Sequence, residues 1–142
     1  MKRRADLQRE YEAALIRHGY RPDASQLRAV DRLSDLALRL RSTEDRSQAG
    51  SLGRWFDQLR QRGNRAAGER GIYLWGGVGR GKTFLLDLFH AHVGVPTRRQ
   101  HFHRLMKDVH ARLGELRDLP DPLEHVATDI ARDTRVLCLD EL

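Results

Sequence analysis

Eight consecutive residues have the spacing G-x-x-x-x-G-K-T, a combination of residue types suited to holding phosphate groups. Backbone N–H groups can curl around a polyphosphate only in conformations that a Cβ atom would obstruct, so several positions require glycine. The lysine adds a mobile cation for the phosphates, and the threonine adds a hydroxyl ligand for Mg²⁺. The predicted nucleotide-binding residues are Gly76, Gly77, Val78, Gly79, Arg80, Gly81, Lys82 and Thr83.

A second group of reactive side chains, Asp140 and Glu141, follows the apolar run 136–139. Such a run ending in two acids is common by itself, but 58 residues after Lys82 it matches the acidic partner that phosphate-loop ATPases require. We expect Asp140 to hold Mg²⁺ through a water molecule, opposite Thr83, and Glu141 to act as the general base on the attacking water. The predicted catalytic residues are therefore Lys82 and Glu141, the metal ligands are Thr83 and Asp140, and the reaction is hydrolysis of the β–γ phosphoanhydride of ATP.

The segments around the loop predict a strand, a loop and a helix in that order, which is the context that a phosphate loop needs. The apolar run 72–75 predicts a short strand that enters the loop, with Trp75 in the core beside it. The helix after the loop is expected to end near Gly94. Its largely buried side chains are expected to be Phe84, Leu85, Leu86, Leu88 and Phe89.

The remaining residues after the loop alternate between predicted strands and helices. We expect a second strand at 99–103, an amphipathic helix that is interrupted at 120–122, a helix at about 123–132, and a final buried strand tipped by Asp140. The stripe on the first of these helices consists of Leu105, Met106, Val109, Leu113 and Leu116. This alternation predicts an α/β fold with a parallel sheet.

Residues 1–62 are predicted to form an N-terminal helical segment, and residues 63–142 the first part of a phosphate-loop ATPase domain. A helix at about 4–18 ends at Gly19, and a second helix covers about 24–41. The polar stretch 42–51 has no periodicity and predicts a linker, followed by a short helix at about 52–62. The stripe of the first helix contains Leu7, Tyr11, Leu15 and His18, and the apolar stripe of the second contains Leu27, Val30, Leu33, Ala37 and Leu40.

Composition limits the class of protein. The 142 residues suggest one domain, the single cysteine, Cys138, excludes an internal disulfide, and no stretch resembles a signal peptide or a membrane span. The net charge of +6 rests mainly on arginines. We expect no nucleic-acid partner, because these arginines are scattered among acids and are not interleaved with aromatic side chains.

Two weaker patterns leave alternatives open. Gln26 follows Asp23 by three residues, so its amide either completes a capping box at the start of the second helix or contacts an adenine base. His101 and His103 lie two residues apart, which on a strand places them on one face, where they could bind a metal. No third ligand is apparent, and Mg²⁺ does not prefer imidazole.

Four segments together closely resemble the ZapE-type cell-division ATPases, an AAA+-like family with mitochondrial relatives. They are residues 71–83, His101 to Met106, Val109-His110, and Arg135 to Glu141. The string Y-L-W-G-G-V-G-R-G-K-T and the string H-F-H-R are much more specific than a generic phosphate loop. Leu105 and Leu139 stand where the family pattern leads us to expect phenylalanine.

The resemblance implies a three-layer P-loop NTPase sheet of the AAA+ or ASCE-like type that is truncated after the strand carrying Asp140. It also implies ATP and Mg²⁺ as cofactors, and a protein that acts on the tubulin-like division GTPase of the constriction ring. The implied location is the cytoplasm, at the inner membrane face of the division site, and the full-length form is expected to be a homo-oligomer.

The family members continue well past the Asp-Glu pair, so we expect these residues to be a truncated protein or a gene fragment with little or no turnover alone. The missing part should supply the strand between the phosphate-loop strand and the Asp-Glu strand. Because neighbouring strands lie about 4.7–4.9 Å apart, its absence leaves a slot of roughly 10 Å. Two other functions stay open: a nucleotide-binding interaction module that hydrolyses nothing, and a basic nucleic-acid-associated phosphate-loop protein.

Overall fold

The computed structural model describes residues 4–48 and 70–141, which form two compact units, Met1–Gly94 and Val95–Leu142. The first unit contains helices α1 (Arg4–His18), α2 (Ala24–Gln48) and α3 (Lys82–His92). The second contains strand β1 (Thr97–His101), helices α4 (Phe102–Glu115) and α5 (Pro122–Asp133), and strand β2 (Val136–Asp140). The predicted domain boundary at residues 62 and 63 lies outside the described residues.

The core of the first unit lies where α1, α2 and α3 pack against one another. The stripes predicted for α1 and α2 are confirmed, except that His18 is exposed and Leu27 stays 37% exposed. Helix α1 ends as predicted, because Gly19 adopts a left-handed conformation with φ 65° that glycine accepts without strain. The buried apolar side chains of this unit are Leu7, Tyr11, Ala14, Leu15, Val30, Leu33, Leu36, Ala37, Leu40, Leu85, Leu88, Phe89 and Val93.

Helix α2 is longer than predicted, since it continues through Gln48, and the linker prediction is therefore wrong for residues 42–48. Those residues include neither glycine nor proline, and polarity alone does not end a helix. Ser42 Oγ donates a hydrogen bond of 2.8 Å to the carbonyl of Arg39, within the helix. The short helix predicted at 52–62 lies outside the described residues.

The predicted strand before the phosphate loop does not form, because residues 70–77 have no regular secondary structure. Side chains still alternate along this segment: Ile72 and Leu74 are half-buried, whereas Tyr73 and Trp75 are 68% and 82% exposed. A strand requires a hydrogen-bonded neighbour, and the sheet within residues 4–48 and 70–141 consists of β1 and β2 alone. The prediction that Trp75 lies in the core is consequently wrong.

Strands β1 and β2 pair in parallel, with Thr97 opposite Val136 and His101 opposite Asp140. Strand β1 lies two residues earlier than predicted, and α4 begins at Phe102 directly after it. His101 is therefore the extended residue that precedes a helix, and His103 lies inside that helix. The prediction that the two histidines share a strand face is wrong, and the described part of the chain holds no cluster of three or more metal-binding side chains.

Helices α4 and α5 connect the two strands and confirm the predicted helix, interruption and helix. Pro122 opens α5 after Asp121, which has a φ of 51°. Leu105 and Val126 are the buried residues of these helices. Strand β2 is less buried than predicted, because only Cys138 is buried and Leu137 is 38% exposed. The described residues thus form a mixed helix and strand fold with a small parallel sheet, and a three-layer sheet is not seen.

Candidate nucleotide-binding site

The predicted phosphate loop is an exposed turn between the extended segment 70–77 and α3. Gly76, Gly79 and Gly81 have φ angles of 145°, 77° and 79°, in the region that side chains with a Cβ rarely adopt. These glycines are needed for their backbone conformation, since a Cβ at Gly76 or Gly79 would meet no atom within 4 Å. The result is a loop that turns sharply and leaves open space beside its backbone.

Helix α3 begins at Lys82 without a side-chain cap, because its N-cap residue is Gly81. The first N–H of the helix to reach an intrahelical acceptor is that of Leu85, which donates to Gly81 O at 3.0 Å. The N–H groups of residues 82–84 precede it and have no acceptor within the helix. With no acid in the first turn, this end of α3 carries the partial positive charge that attracts anions.

Lys82 folds back across the loop. Its Nζ donates hydrogen bonds of 2.7 Å to the carbonyl oxygens of both Gly76 and Gly77. The ammonium group therefore lies against the loop backbone, where an anion held in the loop would meet it. Thr83 is exposed on the first turn of the same helix, so the structure brings the lysine, the hydroxyl and the loop backbone together.

Asp140 ends β2 and contacts two basic side chains of β1. Arg99 Nη2 donates a hydrogen bond of 2.6 Å to Asp140 Oδ2, and His101 Nδ1 lies 2.7 Å from Asp140 Oδ1. The hydrogen bond from Arg99 is the main reason why the pKa of Asp140 lies below its ordinary value. Glu141 is 74% exposed, with its Oε2 3.5 Å from the same His101 nitrogen. Both carboxylates therefore lie near the same nitrogen of His101.

Asp140 and Thr83 each carry an oxygen of the type that binds Mg²⁺. Asp140 Oδ1 is buried with His101 Nδ1 2.7 Å away, and the lowered pKa of Asp140 keeps the carboxylate ionised. Mg²⁺ prefers carboxylate, hydroxyl and water oxygens, and Asp140 carries a carboxylate while Thr83 carries a hydroxyl. The predicted site residues fall into two groups: residues 76–83 belong to the first compact unit, and Asp140 and Glu141 belong to the second.

A family model described as AFG1-like ATPase matches residues 6–142, nearly the whole chain. The chain belongs to the AFG1-like ATPase family. It is 39% identical to the Escherichia coli K12 protein named Cell division protein ZapE over 136 residues, which is 93% of this chain and 36% of that protein. The same values hold for the protein of that name in Escherichia coli O157:H7.

The Danio rerio protein named Lactation elevated protein 1 homolog B is 40% identical to this AFG1-like chain over 84 residues, covering 51% of the chain and 17% of the relative. The chain spans about a third of the length of its Escherichia coli relatives. No solved structure matches it. Among the residues that the structure describes, no helix has the length and the apolar character that crossing a membrane requires.

The contact between Arg99 and Asp140 was not predicted from the sequence. Arg99 and His101 lie two residues apart and therefore share one face of β1. The parallel register places Asp140 of β2 on the same face. For Gln26 the sequence left two roles open, a capping box and a contact with an adenine base. The structure forms only half of that box: Asp23 Oδ1 accepts a 2.6 Å hydrogen bond from Ser25 N, while the Gln26 amide contacts the phosphate loop.

Proposed function

We propose that this chain binds ATP at residues 76–83 and forms part of an enzyme that hydrolyses ATP with Mg²⁺. The observation that carries the proposal is the uncapped amino end of α3, which opens directly from a loop containing left-handed glycines. Lys82 on the first turn adds the positive charge that a triphosphate needs. Membership of the AFG1-like ATPase family supports the choice of ATP as the nucleotide.

Each predicted site residue has a defined role in this proposal. The loop amides and Lys82 bind the phosphates and hold the terminal phosphate in a fixed position, and positioning of this kind supplies much of the rate in phosphoryl transfer. Glu141 accepts a proton from the attacking water as general base. Its 74% exposed side chain leaves its carboxylate accessible to water.

Thr83 and Asp140 are the proposed Mg²⁺ ligands. When bound, Mg²⁺ neutralises charge on the phosphate oxygens. Arg99 holds Asp140 ionised and limits its rotation, so that the carboxylate stays ready to accept water or a cation. We extend the proposal to the division of the chain into an N-terminal helical segment, residues 1–62, and the first part of an ATPase domain, residues 63–142.

The cellular role in this proposal is bacterial cell division. It is supported by the 39% identity to Cell division protein ZapE over most of this chain. The protein that contains this chain would then work in the cytoplasm at the division site, on the tubulin-like GTPase of the constriction ring. The chain covers 36% of that relative, so the role has to be tested with the whole protein, in cells. Depletion of the whole protein should delay constriction, and normal constriction after depletion would oppose the role.

Binding and turnover are tested separately. We expect ATP binding, measured by calorimetry, to be lost in Lys82→Ala, with Arg70→Ala as the control because Arg70 is an exposed cation outside the loop. Full ATP affinity in Lys82→Ala would refute the site. In the whole protein that contains this chain, turnover with Mg²⁺-ATP should fall by about 10²-fold or more in Glu141→Gln. ATP binding without turnover, unchanged by Glu141→Gln, would instead identify a nucleotide-binding module.

A further inference from the structure

The phosphate loop is tied to both N-terminal helices by a chain of two hydrogen bonds. Tyr11 of α1 donates its hydroxyl to Gln26 Oε1 at 2.8 Å. Gln26 of α2 donates its Nε2 to the carbonyl oxygen of Arg80 at 3.1 Å. Both polar atoms of the Gln26 amide therefore have protein partners, and the amide connects three elements of the first unit.

Tyr11, the first residue in this pair of hydrogen bonds, is held firmly in place. Tyr11 is fully buried, and its ring lies 6.1 Å from that of Phe84 on the first turn of α3. The ring of Tyr20 meets Phe84 edge-on at 6.3 Å. A hydroxyl on such a fixed ring holds Gln26 in one orientation, since the acceptor cannot turn away without leaving the buried O–H unpaired.

Gln26 also packs directly against the last turn of the loop. A Cβ atom built on Gly81 would lie 2.5 Å from Gln26 Nε2, too close for two unbonded atoms. Gly81 is thus required both by its φ of 79° and by the presence of the glutamine. The amide forms one wall of the turn from which α3 begins.

The hydrogen bond to Arg80 O has a consequence for the next N–H group. A peptide unit is planar and trans, so the carbonyl of Arg80 and the N–H of Gly81 point in opposite directions. When Gln26 holds the carbonyl, the N–H of Gly81 is directed away from Gln26. A group fixed before the ligand arrives loses less conformational entropy on binding.

We propose that Gln26 is a positioning residue of the phosphate site, which presets the Arg80–Gly81 peptide for a polyphosphate and is itself oriented by Tyr11. The inference rests on the proposed function and deepens it. It differs from adenine recognition, which would require Gln26 to exchange a protein partner for the base. The two roles can be distinguished with inorganic tripolyphosphate, which has no base. Loss of a positioning residue should weaken binding of both ATP and tripolyphosphate, whereas loss of base recognition should weaken binding of ATP alone.

The test compares Gln26→Met, which keeps the length of the side chain and removes the amide, with Gln8→Met, the same change at an exposed position of α1. We expect Gln26→Met to weaken binding of both ATP and inorganic tripolyphosphate by about tenfold, the effect of one hydrogen bond, with a circular dichroism spectrum that shows the fold is kept. Gln8→Met should change neither. Loss of ATP affinity alone, with tripolyphosphate binding intact, would overturn the proposal in favour of base recognition.

The single variant Tyr11→Phe keeps the proposal testable if Gln26→Met does not fold, and a double-mutant cycle of the two tests the role of Tyr11 if it does. Tyr11→Phe retains the ring and removes the hydroxyl, so ATP affinity should fall by about threefold. The double variant should bind no more weakly than Gln26→Met alone. Fully additive losses would refute the proposal that Tyr11 acts by orienting Gln26. Unchanged binding in both single variants, while Lys82→Ala still abolishes it, would also refute it. The proposed function itself would be refuted by either of two results. One is ATP binding that is unchanged in Lys82→Ala, and the other is a failure of tripolyphosphate to compete with ATP for the wild-type protein.

Discussion

Arg99 on β1 donates a 2.6 Å hydrogen bond to Asp140, two register positions further along the paired strand β2. Both side chains are largely buried, with 19% and 15% of their surfaces exposed. The pair lowers the pKa of Asp140, and it is made of residues 41 positions apart in the chain. An acid proposed to hold Mg²⁺ is therefore kept ionised and oriented by a neighbouring strand.

The first prediction concerns this pair. Arg99→Met should reduce the free energy of unfolding at pH 7 by about 1–3 kcal/mol, because the partly buried carboxylate loses its charged partner. Since the folded pKa of Asp140 is lowered, the pair stabilises the protein above the ordinary carboxyl pKa, and this stabilisation disappears as pH falls through the lowered value. Denaturant unfolding at pH 7 and near pH 2 measures the difference.

Arg98→Met is the matched control for Arg99→Met, because Arg98 is the exposed neighbour on the same strand. It should change the free energy of unfolding by less than about 0.5 kcal/mol. Equal losses in the two variants, or a loss in Arg99→Met that stays constant down to low pH, would contradict the prediction.

The second prediction concerns the end of α3. Arg41 Nε donates to Val93 O at 2.7 Å, and its Nη2 donates to His92 O. A Cβ on Gly94 would lie 2.7 Å from Arg41 Nε, and Gly94 has a φ of 72°. Gly94→Ala should therefore lower the free energy of unfolding by about 1–3 kcal/mol, measured by denaturant unfolding.

Gly114→Ala is the comparison for Gly94→Ala. Gly114 lies within α4, and a Cβ there would meet no atom within 4 Å. Alanine loses less backbone entropy than glycine in a helix, so this change should stabilise the protein by about 0.5–1 kcal/mol. Destabilisation by both substitutions, or by neither, would refute the argument from backbone conformation.

The third prediction is a pH dependence at the start of α2. The pKa of Asp23 is lowered, chiefly because its carboxylate accepts a hydrogen bond from the backbone N–H of Ser25. Asp23→Ala should lower the melting temperature at pH 7. The difference from the wild type should vanish as pH falls through the lowered pKa, because the protonated carboxyl caps the helix less well.

Two variants check the Asp23 argument by thermal unfolding monitored with circular dichroism. Asp23→Asn keeps an acceptor and should lose less stability than alanine, without the pH dependence. Asp31→Ala changes an exposed acid in the interior of the same helix and should have little effect. A melting temperature of Asp23→Ala equal to that of the wild type at pH 7 would show that the cap does not stabilise α2.

The fourth prediction concerns the proposed metal ligand Thr83, which is exposed on the first turn of α3. If its hydroxyl binds Mg²⁺, Thr83→Ala should reduce the increase in ATP affinity that Mg²⁺ produces by about tenfold, while binding of ATP without Mg²⁺ stays unchanged. Thr83→Ser keeps the hydroxyl and should retain the full increase. Equal responses to Mg²⁺ in the alanine and serine variants would exclude Thr83 as a ligand.

Features that depend on residues close together in the sequence were predictable. The glycines of residues 76–81 adopt positive φ angles at Gly76, Gly79 and Gly81, and the helix that follows them starts at Lys82. The end of α1 at Gly19 and the start of α5 at Pro122 also follow from local residue preferences. In each of these cases the backbone conformation depends on the type of the residue itself and of its immediate neighbours.

Features that depend on distant residues were not predictable. Whether the run 72–75 forms a strand depends on a neighbour to pair with, and the same absence of pairing leaves Trp75 exposed. The sequence by itself determined the phosphate-loop motif, the acidic pair and most helices. Only the tertiary structure decided that Arg99 holds Asp140 and that Gln26 holds the loop, because strand register and helix packing bring together groups that are 41 and 54 residues apart in the chain.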